Sequence, residues 1–129
     1  MIVDSSAVVA ILNREREAER FERAIAATPN CRMSVANVLE ASIVVESRGG
    51  AAAGHALDAI LAELGIVSEP VTAEQLAAAR RAWRRFGRGN HPAGLNFGDC
   101  FAYALAETTG EPLLFKGGDF ALTDVEAAL

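Results

Sequence analysis

The chain has 129 residues, 51% of them hydrophobic and 22% charged, which is enough apolar material to bury one core and a length typical of a single domain. A formal net charge of −5 excludes a protein that coats nucleic acid through bulk electrostatics, and two cysteines in no paired motif, Cys31 and Cys100, exclude a disulfide framework or thiolate metal site. The apolar stretch after Met1 is broken by Asp4 and is too short for a membrane span and wrongly flanked for a signal peptide, so a soluble cytoplasmic protein is expected, with no membrane association.

Residues 1–4 read as a short buried strand feeding an apolar helix over 7–12, with an acid in the turn between them. A charged amphipathic helix follows over 15–27, with Phe21 and Ile25 on one face. Thr28-Pro29-Asn30 ends it, and residues 31–33 form a second strand. Ser34 is placed to cap a helix to about residue 48, whose stripe of Val35, Val38, Leu39, Ser42 and Ile43 has the spacing of a core-facing side. Gly49-Gly50 closes that helix, residues 51–64 form another, and Gly65 precedes a strand at 66–68.

Thr72-Ala73-Glu74-Gln75 has the form of a capping box, opening a helix expected to carry Leu76, Ala79, Trp83 and Phe86 inward and its arginines outward. Residues 87–94 make a loop, and Asn96 can cap a helix over 97–108 with Asp99 in its first turn. Gly110 ends that helix and residues 112–115 form the last clear strand. Strands alternating with helices predict one α/β domain over 1–129, a small, mostly parallel sheet flanked by helices. In such sheets function collects beyond the carboxyl ends of the strands, where Asp4 and Asp119 fall.

Four acids stand where they could converge: Asp4 after the first strand, Glu40 inside a helix, Asp99 at a helix start and Asp119 in a Gly-rich turn. Singly, each has an ordinary explanation as a dipole partner, a solvated helix residue or a turn former. Glu40, however, lies among apolar residues with no Lys or Arg at i±3 or i±4. Converging carboxylates would raise one another's pKa unless a divalent cation offset their repulsion, and Mg²⁺ takes hard oxygen donors of this kind. Phosphodiester hydrolysis is the natural chemistry of such a site, with Ser6 placed to hold Asp4 or orient a water.

The segments Met1-Ile2-Val3-Asp4-Ser5-Ser6-Ala7, Ser34-Val35-Ala36-Asn37-Val38-Leu39-Glu40, Leu95-Asn96-Phe97-Gly98-Asp99-Cys100-Phe101-Ala102-Tyr103-Ala104 and Leu113-Leu114-Phe115-Lys116-Gly117-Gly118-Asp119-Phe120 resemble those of PIN-domain ribonucleases of the VapC toxin type. The likeness covers essentially the whole chain. It implies a PIN fold and a Mg²⁺- or Mn²⁺-dependent endoribonuclease, acting as the toxin of a toxin-antitoxin pair. It also implies a homodimer and inhibition by a cognate antitoxin. Asp4, Glu40, Asp99 and Asp119 take the metal-site places and Ser6 the hydroxyl place. Gly118 departs from the Asn frequent in the family, and Asp124 stands as an auxiliary acid.

Arg80, Arg81, Arg84, Arg85 and Arg88 fall within nine residues, and no acid occurs between Glu74 and Asp99. That stripe reads either as a track for RNA phosphates or as a solvated face. Arg88, Asn90 and His91, in the loop leading to Asp99, are the better substrate-binding candidates, whereas His55 is expected to be structural. The antitoxin would need an apolar groove, for which the first three helices are candidates. Two other readings compete: a catalytically silent PIN module that binds RNA or a partner protein, and a receiver-like Mg²⁺-binding signalling domain, which Lys116 suggests but the lack of an acid pair after the first strand opposes.

Overall fold

The computed structural model describes residues 1–129. Its elements are β1 (Ile2–Val3), α1 (Ser5–Leu12), α2 (Ala18–Ala26), β2 (Arg32–Ser34), α3 (Val35–Glu63), β3 (Val67–Glu69), α4 (Ala73–Phe86), α5 (Phe97–Thr109), β4 (Leu113–Leu114) and a 3₁₀ turn, η1 (Phe120–Leu122). The four strands are parallel in the order β3-β2-β1-β4, with Ile2 opposite both Arg32 and Leu113. This is the expected α/β sheet flanked by helices.

Alternation along the central strands divides the interior. Val3, Met33 and Leu114 pack with α1, α2 and α3, while Ile2 and Leu113 pack on the other side with α4 and α5. Connections from β1 therefore leave on one face and those into β4 return on the other. The topological switch point falls between these two neighbouring strands, and Asp4 stands just beyond the carboxyl end of β1 there.

The helix starts are fixed by side chains. Asp4 caps α1, Ser34 caps α3, Thr72 caps α4, and Asn96 and Asp99 form a reciprocal capping box on α5. The expected break at Gly49-Gly50 is a kink within α3 at Gly50, whose φ of 66° and ψ of −164° suit glycine. Helix α2 begins at Ala18 instead of residue 15, after a turn in which Arg14 takes a positive φ.

Two helix faces differ from the expectation. On α4 the buried residues are Gln75, Ala78, Ala79, Ala82 and Phe86, while Leu76 and Trp83 are about half exposed. On α3 the buried line is Asn37, Ala41 and Val45, leaving Val35, Leu39 and Ile43 exposed. In both cases alanine occupies the close contact. Ala78 and Ala82 join the same packed cluster as Ala102 and Ala106 of α5, and small side chains let helix axes approach where leucine or tryptophan would hold them apart.

Candidate active site

Asp4 directly follows β1 and is almost fully buried. Its Oδ2 accepts from the Ser6 amide at 2.9 Å and the Ser6 hydroxyl at 2.6 Å, whereas its Oδ1 is buried without a partner. The Ser6 hydroxyl also accepts from the Lys116 amide at 2.9 Å. One serine thus fastens the first acid to the loop that carries Asp119.

Glu40 lies in the second turn of α3. Its Oε1 accepts from the Ser5 hydroxyl at 2.5 Å and from the Asn37 amide at 3.2 Å. The same Asn37 amide donates to the carbonyl of Gly98 at 2.9 Å, joining α3 to the start of α5. A Cβ at Gly98 would collide with the Glu40 carboxylate, so only glycine permits this approach. Asp99, next in sequence, accepts from the Asn96 amide at 2.9 Å. Asp119 is exposed at the edge of η1.

Burial raises the Asp4 carboxyl to about 6 against the two Ser6 hydrogen bonds, and the charges of Asp99 and Glu40 add to the rise. Burial likewise raises Asp99 to about 6, opposed by the Asn96 amide and reinforced by Glu40 and Asp119. Asp99 and Glu40 therefore both bear on Asp4, and Glu40 and Asp119 on Asp99. They are not drawn together as ligands, because no three sit at the mutual spacing of a metal site. The donor set nonetheless suits a hard divalent cation: every donor is a carboxylate oxygen, and the unpartnered buried Oδ1 of Asp4 is an acceptor that a cation would satisfy.

The loop candidates divide. His91 is half buried, with Nδ1 accepting from the Ala93 amide at 3.0 Å and its ring edge-on to Phe86 at 5.1 Å. The Asn90 side chain donates to the Trp83 carbonyl at 3.1 Å. Both brace the turn. Arg88 is exposed and forms no ion pair, and its charge lowers the Asp99 pKa, so it alone of the three remains free to meet a substrate beside the acids.

Asp124 stands apart from the acids, accepting from the Tyr103 hydroxyl at 2.6 Å and pairing with Arg85 at 3.0 Å. The Tyr103 hydrogen bond, helped by Arg85, holds its carboxyl below the usual range. Its role is to tie the C-terminal segment to α5. Lys116 pairs with Glu15 and lies 3.7 Å from Glu17. His55 is exposed on α3.

Ser5, Asn37 and Gly98 were not singled out from the sequence. A signal existed for two of them: Ser5 adjoins Asp4, and Asn37 is a polar residue one turn before Glu40 on the buried line of α3.

Comparison with known proteins shows the family and the fold. The PIN domain family matches residues 1–126. The chain is 53% identical over 127 residues to "Ribonuclease VapC" of Mycolicibacterium smegmatis, covering 98% of both chains. It is 49% identical over 125 residues to "Ribonuclease VapC30" of Mycobacterium tuberculosis, covering 97% of this chain and 95% of that one. Among solved structures, that of VapC20 of Mycobacterium tuberculosis, described as a sarcin-ricin loop cleaving toxin, superposes with a TM-score of 0.76 at 23% identity, over 96% of this chain and 95% of the other, and shows the shared fold.

Proposed function

Since the chain belongs to the PIN-domain family, among the VapC-type ribonuclease toxins, we propose that it is a Mg²⁺- or Mn²⁺-dependent endoribonuclease whose site is Asp4, Glu40, Asp99 and Asp119. The observation that carries this reading is the Asp4 carboxylate, buried among like charges with one oxygen lacking any partner.

Those four carboxylates would hold the cation. When bound, it would polarise a phosphoryl oxygen and activate water for phosphodiester hydrolysis. The chain's own residues supply the setting. Ser6 keeps Asp4 and the 116–119 loop in register through its two hydrogen bonds. Ser5 and Asn37 aim Glu40. Arg88 offers a cation to the scissile phosphate beside Asp99.

A cognate antitoxin, a homodimeric assembly and a cytoplasmic setting complete the proposal. The exposed strip Val35, Leu39 and Ile43 supplies apolar surface suited to protein contact. No helix is long and apolar enough to cross a membrane.

The spacing of the acids favours one competing reading, a metal-free PIN module that binds RNA or a partner without cutting. Family membership leaves no support for a receiver-like domain. Incubating total RNA with the purified chain and Mg²⁺, beside Asp4→Asn and Asp99→Asn, tests the enzyme reading. New RNA ends with the unmodified chain alone are expected; equal products from all three would refute it.

A further inference from the structure

Three of the four acids are aimed by hydrogen bonds: Asp4 by Ser6, Glu40 by Ser5 and Asn37, and Asp99 by the Asn96 amide. Asp119, at the start of η1, accepts no such bond on its side chain, so its direction depends on the backbone that carries it. On the far side that backbone is anchored by Phe120, buried with its ring 5.2 Å from Phe115. The approach from β4 is different. Gly117 takes a φ of 97°, and a Cβ built at Gly117 or Gly118 would touch nothing. A glycine pair in open space has little to restrain it, and a contact from elsewhere must do so.

Lys116 supplies that contact twice. Its amide donates to the Ser6 hydroxyl at 2.9 Å, and its ammonium pairs with Glu15 and lies 3.7 Å from Glu17, both in the turn between α1 and α2. Glu15 stands 101 residues away in sequence, so the pair joins distant parts of the chain. The turn is a firm base: the Glu15 amide donates to the Ala10 carbonyl at 2.9 Å, and Arg14 pairs with Glu22 of α2 at 3.2 Å. The Lys116 hydrogen bond holds the Glu15 carboxyl below its usual range. The Glu17 oxygen that faces the ammonium is buried and has no hydrogen-bond partner. Ion pairs this exposed add little to global stability, so the consequence of this one lies in the loop it fastens.

We infer that Lys116 is a positioning residue, a clamp between the α1–α2 turn and the 116–119 loop that sets where Asp119 stands. The effect on catalysis rests on the ribonuclease reading, whereas the clamp itself does not.

Three variants of the full chain test it. Lys116→Met removes the ammonium, Glu15→Gln/Glu17→Gln removes its partners and leaves Lys116 free, and Lys116→Arg keeps the charge. Hydrogen exchange of the 116–119 amides, followed in EDTA, should quicken about tenfold in the first two and stay near that of the unmodified chain in the third. Calorimetric Mg²⁺ affinity and the kcat for RNA cleavage should each fall about tenfold in the first two, with KM retained, and Lys116→Arg should restore most of both. In an Asp119→Asn background, Lys116→Met should change neither further, since the two residues act through one position. Each variant should melt within a few degrees of the unmodified chain.

Cleavage lost in Lys116→Met but kept in Glu15→Gln/Glu17→Gln would overturn the clamp and make Lys116 a contact for the RNA itself. An additive loss in the Asp119→Asn background would likewise overturn it. Faster exchange and weaker Mg²⁺ binding in the variants of a chain that cuts no RNA would support the clamp and defeat the ribonuclease reading. Cleavage and exchange at the unmodified rate in every variant would do the reverse.

Discussion

The hydroxyl of Ser5 donates a 2.5 Å hydrogen bond to Oε1 of Glu40, so the residue after the first acid holds the second. Because Ser5 opens α1 and Glu40 belongs to α3, this contact sets the relative position of two carboxylates from different elements. Ser5→Ala should reduce cleavage and Mg²⁺ affinity together, by about tenfold, as loss of an orienting partner does at metal sites. Parallel measurement of cleavage rate and calorimetric Mg²⁺ binding checks this; an unchanged affinity would show that Glu40 is aimed by other contacts.

Gly98→Ala is a stricter test of the same geometry. The new methyl would displace the Glu40 carboxylate while α5 keeps its capping box, since Asn96 and Asp99 are untouched. A misplacement on the scale of an ångström costs about 10²-fold in rate. Cleavage should fall by that order with the far-ultraviolet circular dichroism unchanged. Activity near that of the unmodified chain would mean that Glu40 has no required position.

Much of the fold was legible because its punctuation is chemical. Ser34, Thr72, Asn96 and Gly110 mark helix ends by hydrogen-bonding capacity or φ preference, and the structure uses each at that place. Helix faces were less legible. A hydrophobic stripe places Leu76, Trp83, Leu39 and Ile43 inside, yet the tight contacts went to Ala78, Ala82 and Ala41, a preference set by axis separation that hydropathy does not encode. In the site, the acids were visible as residue types in a pattern, whereas Asn37 and Gly98 act through a contact 61 residues apart in sequence. Arg81 pairs with Glu107 and Arg80 with no acid, a difference set by where Glu107 stands in space.

Asp4 and Asp99 give the metal-free protein a pH signature. Each carboxyl is raised to about 6 in the folded chain from an ordinary 3.8, so the folded state holds more protons than the unfolded one between those values. Stability contributed by these groups is present at low pH and is lost as pH rises through that window. Asp99→Asn carries no such charge. In EDTA its melting temperature should gain on that of the unmodified chain as pH rises through the window and level off above about 6. A gain that shrinks with rising pH would contradict the burial, reinforced by the Glu40 and Asp119 charges, that raises Asp99.

Asp124 should matter for stability and not for cleavage. It binds Tyr103 and Arg85 and so anchors the C-terminal segment against α5. Asp124→Ala leaves the Tyr103 hydroxyl without that partner and should lower the melting temperature by a few degrees, with the cleavage rate retained. A large loss of cleavage at unchanged stability would return Asp124 to the acidic site.

The central claim is that the four carboxylates work through a divalent cation, and chelation tests it most directly. One sample of purified protein is assayed on RNA in Mg²⁺, then in excess EDTA, then after Mg²⁺ is restored, with melting followed in each state. Cleavage should stop in EDTA and return with Mg²⁺, and the melting temperature should rise when the cation binds the folded chain. Cleavage that persists in excess EDTA would contradict the account.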